Sequence, residues 1–280
     1  MPPIALITDF GLADHFVGSM KAAILGINPR ASIIDVSHDI PPGDVMAAAT
    51  MLLLCFRDFP KSTIFTVVVD PGVGSNRAAV AVKAGGYYFV GPDNGVLSLV
   101  CEKIEAASGN APAARQVICK LENESYFRTP VSATFHGRDI FGPVAAHLSK
   151  GVAFVKLGPI RESMVRAAIP RVKVDSKHVT GSVIAIDRFG NCITSIERSH
   201  LDKLLSAGFS VAMKGAKPFP VCSCYRDVAK GKPLGLVGSA GYLEISINGG
   251  NAAKKLNLKI GDAVEVKIMP LPASHLDSAR

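Results

Sequence analysis

The chain has 280 residues, 48% hydrophobic and 19% charged, enough to build a core for one large domain or two modest ones. Its longest apolar stretch, Val45 to Phe56, stops at Arg57 and Asp58, well short of the ~18 residues of a membrane span. The net charge of +8 is scattered, with no basic run interleaved with aromatics, so no nucleic-acid partner is expected.

Met1-Pro2-Pro3 lacks the basic start of a signal peptide, and Ile4 to Ile7 is too short for its apolar region. A soluble cytoplasmic protein without a membrane partner is therefore the expectation. The six cysteines, at 55, 101, 119, 192, 222 and 224, form no CxxC pair and are expected to be free thiols.

Ile4 to Thr8 reads as a strand ending in Asp9-Phe10-Gly11. A helix from Phe16 to Leu25 is stopped by Asn28-Pro29, and Ser32 to Val36 is a second strand. Asp44 to Phe56 reads as a buried helix. Thr63 to Val69, β-branched and apolar throughout, reads as a strand covered on both faces. Ala78 to Lys83 and Tyr87 to Val90 form a hairpin across Gly85-Gly86, followed by the turn Gly91 to Gly95. Asp139 to Leu148 reads as a helix that must accommodate Pro143 near its start. This alternation predicts a doubly wound sheet, whose ligands sit beyond the carboxyl ends of strands.

After about residue 165 the pattern changes. Val172 to Val174, Gly181 to Asp187, Phe209 to Met213, Leu234 to Val237, Tyr242 to Ile247 and Ala263 to Ile268 are short strands with glycine-rich turns, a mainly antiparallel β domain. The predicted domains are 1–168 and 178–280, with a linker at about 169–177. The tail from Pro270 is expected to fray.

Two strand ends carry a carboxylate, Asp9 and Asp70. At such a place it can accept hydrogen bonds from a ribose diol, or simply cap a helix or turn. Asp70-Pro71-Gly72-Val73-Gly74-Ser75-Asn76-Arg77 starts like a dinucleotide fingerprint, but Arg77 stands where its third glycine belongs. Arg77 could hold Asp70 ionised, lower the pKa of a nearby water, or form a structural ion pair. His136, in Thr134-Phe135-His136-Gly137-Arg138-Asp139, can move a proton near neutral pH or be structural. A metal site from His136 and Asp139 lacks further ligands nearby, so none is expected. Asp187-Arg188-Phe189-Gly190-Asn191 offers a carboxylate, an aromatic face and an amide for an ammonium, an adenine ring and its edge; the same residues make a hairpin turn. Gly238 to Glu244 and Asn248 to Ala252 are glycine-rich but lack a Walker lysine, so phosphate cradling is not favoured.

Taken in order, Thr8 to Gly11, Asp14 to Gly18, Asp70 to Arg77, Gly91 to Gly95, Thr134 to Gly142, Asp187 to Asn191 and Gly238 to Ala252 resemble the motifs of the S-adenosyl-methionine hydroxide adenosyltransferases, relatives of fluorinase and chlorinase. The resemblance implies an α/β domain with a mostly parallel sheet, a smaller C-terminal antiparallel β-barrel, and a homotrimer with each active site shared between neighbouring subunits. It implies hydrolysis of S-adenosyl-L-methionine to adenosine and L-methionine, with Asp70, Arg77 and His136 around the attacking water. Asp9 would hold the ribose hydroxyls, Asp187 and Ser239 the amino-acid end, and Phe189 would stack near adenine. Asn191 and the backbone of Ala252 would read the adenine edge, with Phe10, Tyr242 and Asn251 completing the substrate-binding set. The halogenases have tyrosine where His136 stands, so hydrolysis is favoured over halide-dependent transfer; a non-catalytic adenosyl-binding protein is the other alternative. No metal or other cofactor is required.

Overall fold

The computed structural model describes residues 1–108, 116–167, 171–202, 208–213 and 216–268. The chain divides into two compact units, Met1–Ala167 and Ala168–Arg280. The tail from Pro270, and residues 169 and 170 of the expected linker, lie outside the described residues.

The first unit runs β1 (Ile4–Thr8), α1 (Phe16–Ile27), β2 (Ile33–Ser37), α2 (Val45–Cys55), β3 (Ile64–Val68), β4 (Ala79–Ala84), β5 (Tyr87–Pro92), α3 (Ser98–Ser108), β6 (Val117–Lys120), α4 (Gly142–Ser149) and β7 (Ile160–Arg161). The sheet order is β2-β1-β3-β5-β4-β6-β7. The pairs β1–β2, β1–β3 and β3–β5 are parallel, whereas β5–β4, β4–β6 and β6–β7 are antiparallel. The sheet is thus parallel at its start and antiparallel at its far edge. The predicted hairpin closes through Gly85 and Gly86, both at positive φ, as a two-residue turn between twisted strands requires.

Strand alternation divides the apolar residues between two cores. Ala5, Ile7, Phe65 and Val67 pack with Ala48 and Leu52 of α2 and Val100 of α3. Ile4, Leu6, Ile64 and Val68 pack with Met20 and Ile24 of α1 and Val144 and Ala145 of α4 on the opposite face. With both faces covered, β1 and β3 are buried at every position, which is why these strands read as unbroken apolar runs. β2 lies to one side of β1 and β3 to the other. The crevice between the carboxyl ends of β1 and β3 is therefore the topological switch point, where ligands of open α/β sheets bind.

The second unit begins with β8 (Lys173–Val174), followed by β9 (His178–Ile186), β10 (Cys192–Glu197), β11 (Phe209–Met213), β12 (Ala216–Cys222), β13 (Pro233–Val237), β14 (Tyr242–Ile247) and β15 (Ala263–Ile268). Pairing of β9 with β10, Ala185 opposite Ile193, closes seven strands into a barrel, and β8 pairs along the edge of β9. Closure leaves the barrel strands no free edge. Val179, Val183, Cys192, Val211, Leu243, Ile245, Val264 and Val266 fill the interior. All pairs are antiparallel except β12–β13.

Among the described residues, α3, β6, β7, β10 and β12 were not expected, nor were the short helices Arg198–Leu201 and Ala252–Lys255. β12 contains Pro218 and Pro220, residues that argue against a strand when read in isolation.

Candidate active site

Asp9 follows β1 directly and Asp70 stands two residues beyond β3, so the parallel register brings both carboxylates to one edge of the sheet. They line a cavity of about 280 Å³, together with Phe10, Gly43, Val68, Phe135 and His136. Asp9 Oδ2 accepts a hydrogen bond from the Gly43 backbone N–H at 2.8 Å. Gly43 had no role in the sequence reading, although Pro41-Pro42-Gly43-Asp44 is a turn signal that places an N–H there. Phe10, Phe16 and Phe135 form an aromatic wall, with ring centroids 5.2–6.0 Å apart.

Asp70, Arg77 and His136 are in direct contact. Arg77 Nε donates to Asp70 Oδ1 at 2.8 Å and Nη2 donates to Asp70 Oδ2, a bidentate fork. The same Nη2 lies 2.6 Å from His136 Nδ1. The guanidinium also lies over the Phe141 ring, 5.3 Å from its centroid. Asp70 and Arg77 are only 5% and 11% exposed. Arg77 does not line the cavity; it reaches the cavity through Asp70 and His136.

This geometry fixes the tautomer of His136. A guanidinium can only donate, so Nδ1 must accept and the ring proton belongs on Nε2. Burial and the adjacent Arg77 charge push the His136 pKa below its ordinary value, against a smaller upward pull from Asp70 and Asp139. His136 is thus neutral at pH 7 and presents an N–H.

His136 caps a single π-helical turn, Gly137–Phe141, closed by the Gly142 N–H on the Gly137 carbonyl; such turns recur at functional sites. The predicted helix therefore starts later, at Gly142, with Pro143 in its first turn. Proline has no N–H to give to the carbonyl four residues back, and that carbonyl, of Asp139, accepts from Arg128 N at 2.8 Å instead. Asp139, weighed as a metal ligand, spends its carboxylate on Arg138 and Ser132. Gly74 has φ +77°, and a Cβ there would collide with the Ala133 carbonyl oxygen. Glycine thus lets the Asp70–Arg77 loop pack against the segment leading to His136.

The other predicted residues lie in the barrel unit. Asp187 Oδ1 accepts from the backbone N–H groups of Phe189 and Asn191, both at 2.8 Å, and Oδ2 accepts from Asn191 Nδ2 at 2.9 Å. The hairpin-turn alternative is therefore realised at this loop. Oδ2 retains an open lone pair, and the Asn191 side-chain amide retains its oxygen and one N–H, its main-chain carbonyl being taken by the Asp187 N–H. Phe189 at the loop tip is 77% exposed. Gly190 packs against Asn251, and its carbonyl accepts from Ala253 N at 2.9 Å, which brings Asn251 and the buried Ala252 beside the loop. Asn251 itself caps Lys254 N at 2.7 Å. Ser239 is exposed in the turn joining β13 to β14, and Tyr242 is buried at the start of β14.

The sequence profile of the SAM hydroxide adenosyltransferase N-terminal domain matches residues 4–158, and that of the C-terminal domain matches residues 181–265. The chain is 38% identical to a protein of Salinispora tropica named (R)-S-adenosyl-L-methionine hydrolase, across 95% of this chain and 97% of that one. It is 28% identical to a fluorinase of Nocardia brasiliensis, again across 95% and 97%. The crystal structure of an uncharacterized conserved protein from Thermotoga maritima superposes with a TM-score of 0.85 at 39% identity, covering 94% of this chain and 99% of that one. With profiles for both domains matched and relatives above 30% identity over nearly its full length, the chain belongs to the SAM hydroxide adenosyltransferase family.

Proposed function

We propose that the chain hydrolyses S-adenosyl-L-methionine to adenosine and L-methionine. The observation that carries this reading is the Asp70–Arg77–His136 contact at the switch-point cavity. The water oxygen forms a bond to the ribose 5′ carbon while the carbon–sulfur bond breaks. The electron pair goes to sulfur, which leaves as the neutral thioether of methionine, so departure needs no acid. Water is a poor nucleophile and must be positioned and deprotonated.

The geometry divides that work. His136 Nδ1 is occupied by Arg77 and Nε2 carries a proton, so the imidazole donates to and orients the water. Each Asp70 oxygen accepts one Arg77 hydrogen bond and keeps a second lone pair, which makes Asp70 the acceptor of the water proton. Arg77 is a positioning residue that fixes both. Asp9 has one carboxylate oxygen on Gly43 and the other for the ribose diol.

A cavity of about 280 Å³ is below the ~300–1,000 Å³ typical of sites that enclose a whole drug-sized ligand. We assign Asp187 and Ser239 to the amino-acid end, and Phe189, Asn191, Asn251 and Ala252 to adenine. Phe10 and Tyr242 complete the set. All of these except Phe10 belong to the barrel and come from a neighbouring subunit of a cytoplasmic homotrimer, a closed head-to-tail ring. Mixing inactive Asp9→Ala chains with inactive Asp187→Ala chains should restore part of the activity. No recovery after proven subunit exchange removes the shared site.

Relatives are named for the (R) form of the substrate, and this sulfonium epimer is the preferred one here. The deciding experiment is turnover of each epimer in ¹⁸O-labelled water. The label should appear in the 5′-hydroxyl of adenosine. A chloride-dependent halogenated product, or tight binding without turnover, overturns the reading.

A further inference from the structure

Asp139 lies outside the cavity lining, yet it holds the His136 segment together. Its side chain is fully buried and accepts Arg138 Nε at 2.7 Å on Oδ1 and Arg138 Nη2 at 2.9 Å on Oδ2. Oδ2 also accepts the Ser132 backbone N–H at 2.9 Å. The Asp139 carbonyl, freed by Pro143, takes Arg128 N. One residue thereby ties both ends of the 128–132 stretch to the turn that begins at His136. Arg138 extends the tie by lying over the Phe135 ring, 5.0 Å from its centroid. Ala133, next to Ser132, packs on Gly74 of the Asp70–Arg77 loop. The two sides of the Arg77–His136 contact therefore share one anchor.

We propose that Asp139, clamped by Arg138 and Ser132, is a positioning residue that sets both the placement of His136 and the charge it experiences. Burial pushes the Asp139 pKa up, but the Arg138 and Ser132 hydrogen bonds together with the Arg138 and Arg128 charges outweigh it, so the carboxyl stays ionised below the ordinary carboxylate value. The groups acting on His136 are Arg77 and Asp70 from the loop after β3 and Asp139 from its own turn. Of the two carboxylates, only Asp139 also holds the backbone of the segment leading to His136. Its catalytic consequence rests on the hydrolase reading; its effect on the imidazole does not.

The test follows the His136 ring by NMR against pH in the ligand-free protein, alongside kcat and KM for S-adenosyl-methionine. In Asp139→Asn the His136 midpoint should move to lower pH, because a nearby negative charge is lost. Turnover should fall about 10²-fold, the scale of an ångström-sized misplacement, with KM little changed. Arg138→Lys keeps the charge but loses the fork, so its midpoint should stay near that of the parent while turnover falls by a smaller factor. An unmoved midpoint in folded Asp139→Asn, or a rise in KM at full kcat, overturns the proposal. If Asp139→Asn does not fold, parental turnover in Arg138→Lys does the same. If the parent protein lacks hydrolase activity altogether, the midpoint measurement still decides.

Discussion

In the α/β unit, Asp70, Arg77 and His136 spend their side chains mainly on one another; in the barrel, Asp187 and Asn251 spend theirs on the backbone of their own turns. The side-chain contacts joining residues 70 and 136 serve no cap, since His136 heads its turn without a side-chain cap hydrogen bond. Burying a carboxylate–guanidinium pair costs desolvation that an apolar pair would avoid, so the fold alone gives little reason for it. The barrel residues form an Asx turn and a helix cap, which a fold needs with or without a ligand. Substitutions in the first region should therefore read mainly as lost chemistry, and those in the second as a mixture of binding and folding.

The largest expected effect is Arg77→Ala. Turnover should drop about 10²- to 10³-fold, the scale of removing a preorganised electrostatic group, while ligand affinity measured by calorimetry changes far less. Arg77→Lys should not rescue it, because an ammonium cannot reproduce the fork that holds Asp70 while also reaching His136. Weakened binding at unchanged turnover would move Arg77 to substrate recognition and erase the contrast.

The barrel side is tested at Asp187. Asp187→Ala removes three hydrogen bonds, each worth about 1 kcal/mol, and should lower the melting temperature as well as activity. Asp187→Asn keeps an oxygen for the two backbone donors but loses the charge. It should melt closer to the parent protein while KM rises about tenfold, the scale of one charged hydrogen bond. Equal melting of all three proteins would show that the turn does not depend on Asp187.

The pH dependence sharpens the first region. The folded His136 pKa lies below 6.5, so between the two values the unfolded state binds more protons than the folded one. The stabilising contribution is complete above 6.5 and lost as pH falls through the folded pKa. Activity should follow the same direction, level from 6.5 upward and falling about tenfold per unit below the folded midpoint. In His136→Ala this acid limb should disappear from the residual rate, and persistence of the limb would assign it to another group.

The smallest effect is expected at Phe189. Its ring is exposed and has no aromatic partner among the described residues, so Phe189→Ala should leave thermal unfolding unchanged. Loss of stacking, worth about 0.5–1.5 kcal/mol, should raise KM several-fold. A drop in melting temperature would place the ring in the fold instead.

The sequence by itself determined the two-part architecture and most strands of each core, though not β6, β10 or β12. The β1 and β3 apolar runs, the Gly85-Gly86 turn and the short strands after residue 165 are local signals, and neighbouring residues carry them completely. It also identified Asp9, Asp70, Arg77 and His136 as a set, through motif order and the seven-residue step from Asp70 to Arg77. Tertiary structure alone decided what those residues do to each other. That Arg77 forks onto Asp70, stands behind the cavity and fixes the His136 tautomer depends on two loops meeting across 59 residues of chain, and no local pattern encodes that meeting. The same holds for β12, where Pro218 and Pro220 argue against a strand until a neighbouring β11 supplies the pairing. It holds again for Asp139, weighed in the sequence only as a metal ligand, whose carbonyl accepts from Arg128 and whose carboxylate is held by Arg138 and Ser132 in the fold. Local propensity and periodicity are set by adjacent residues; hydrogen-bond geometry and burial are set by whatever the fold places opposite them.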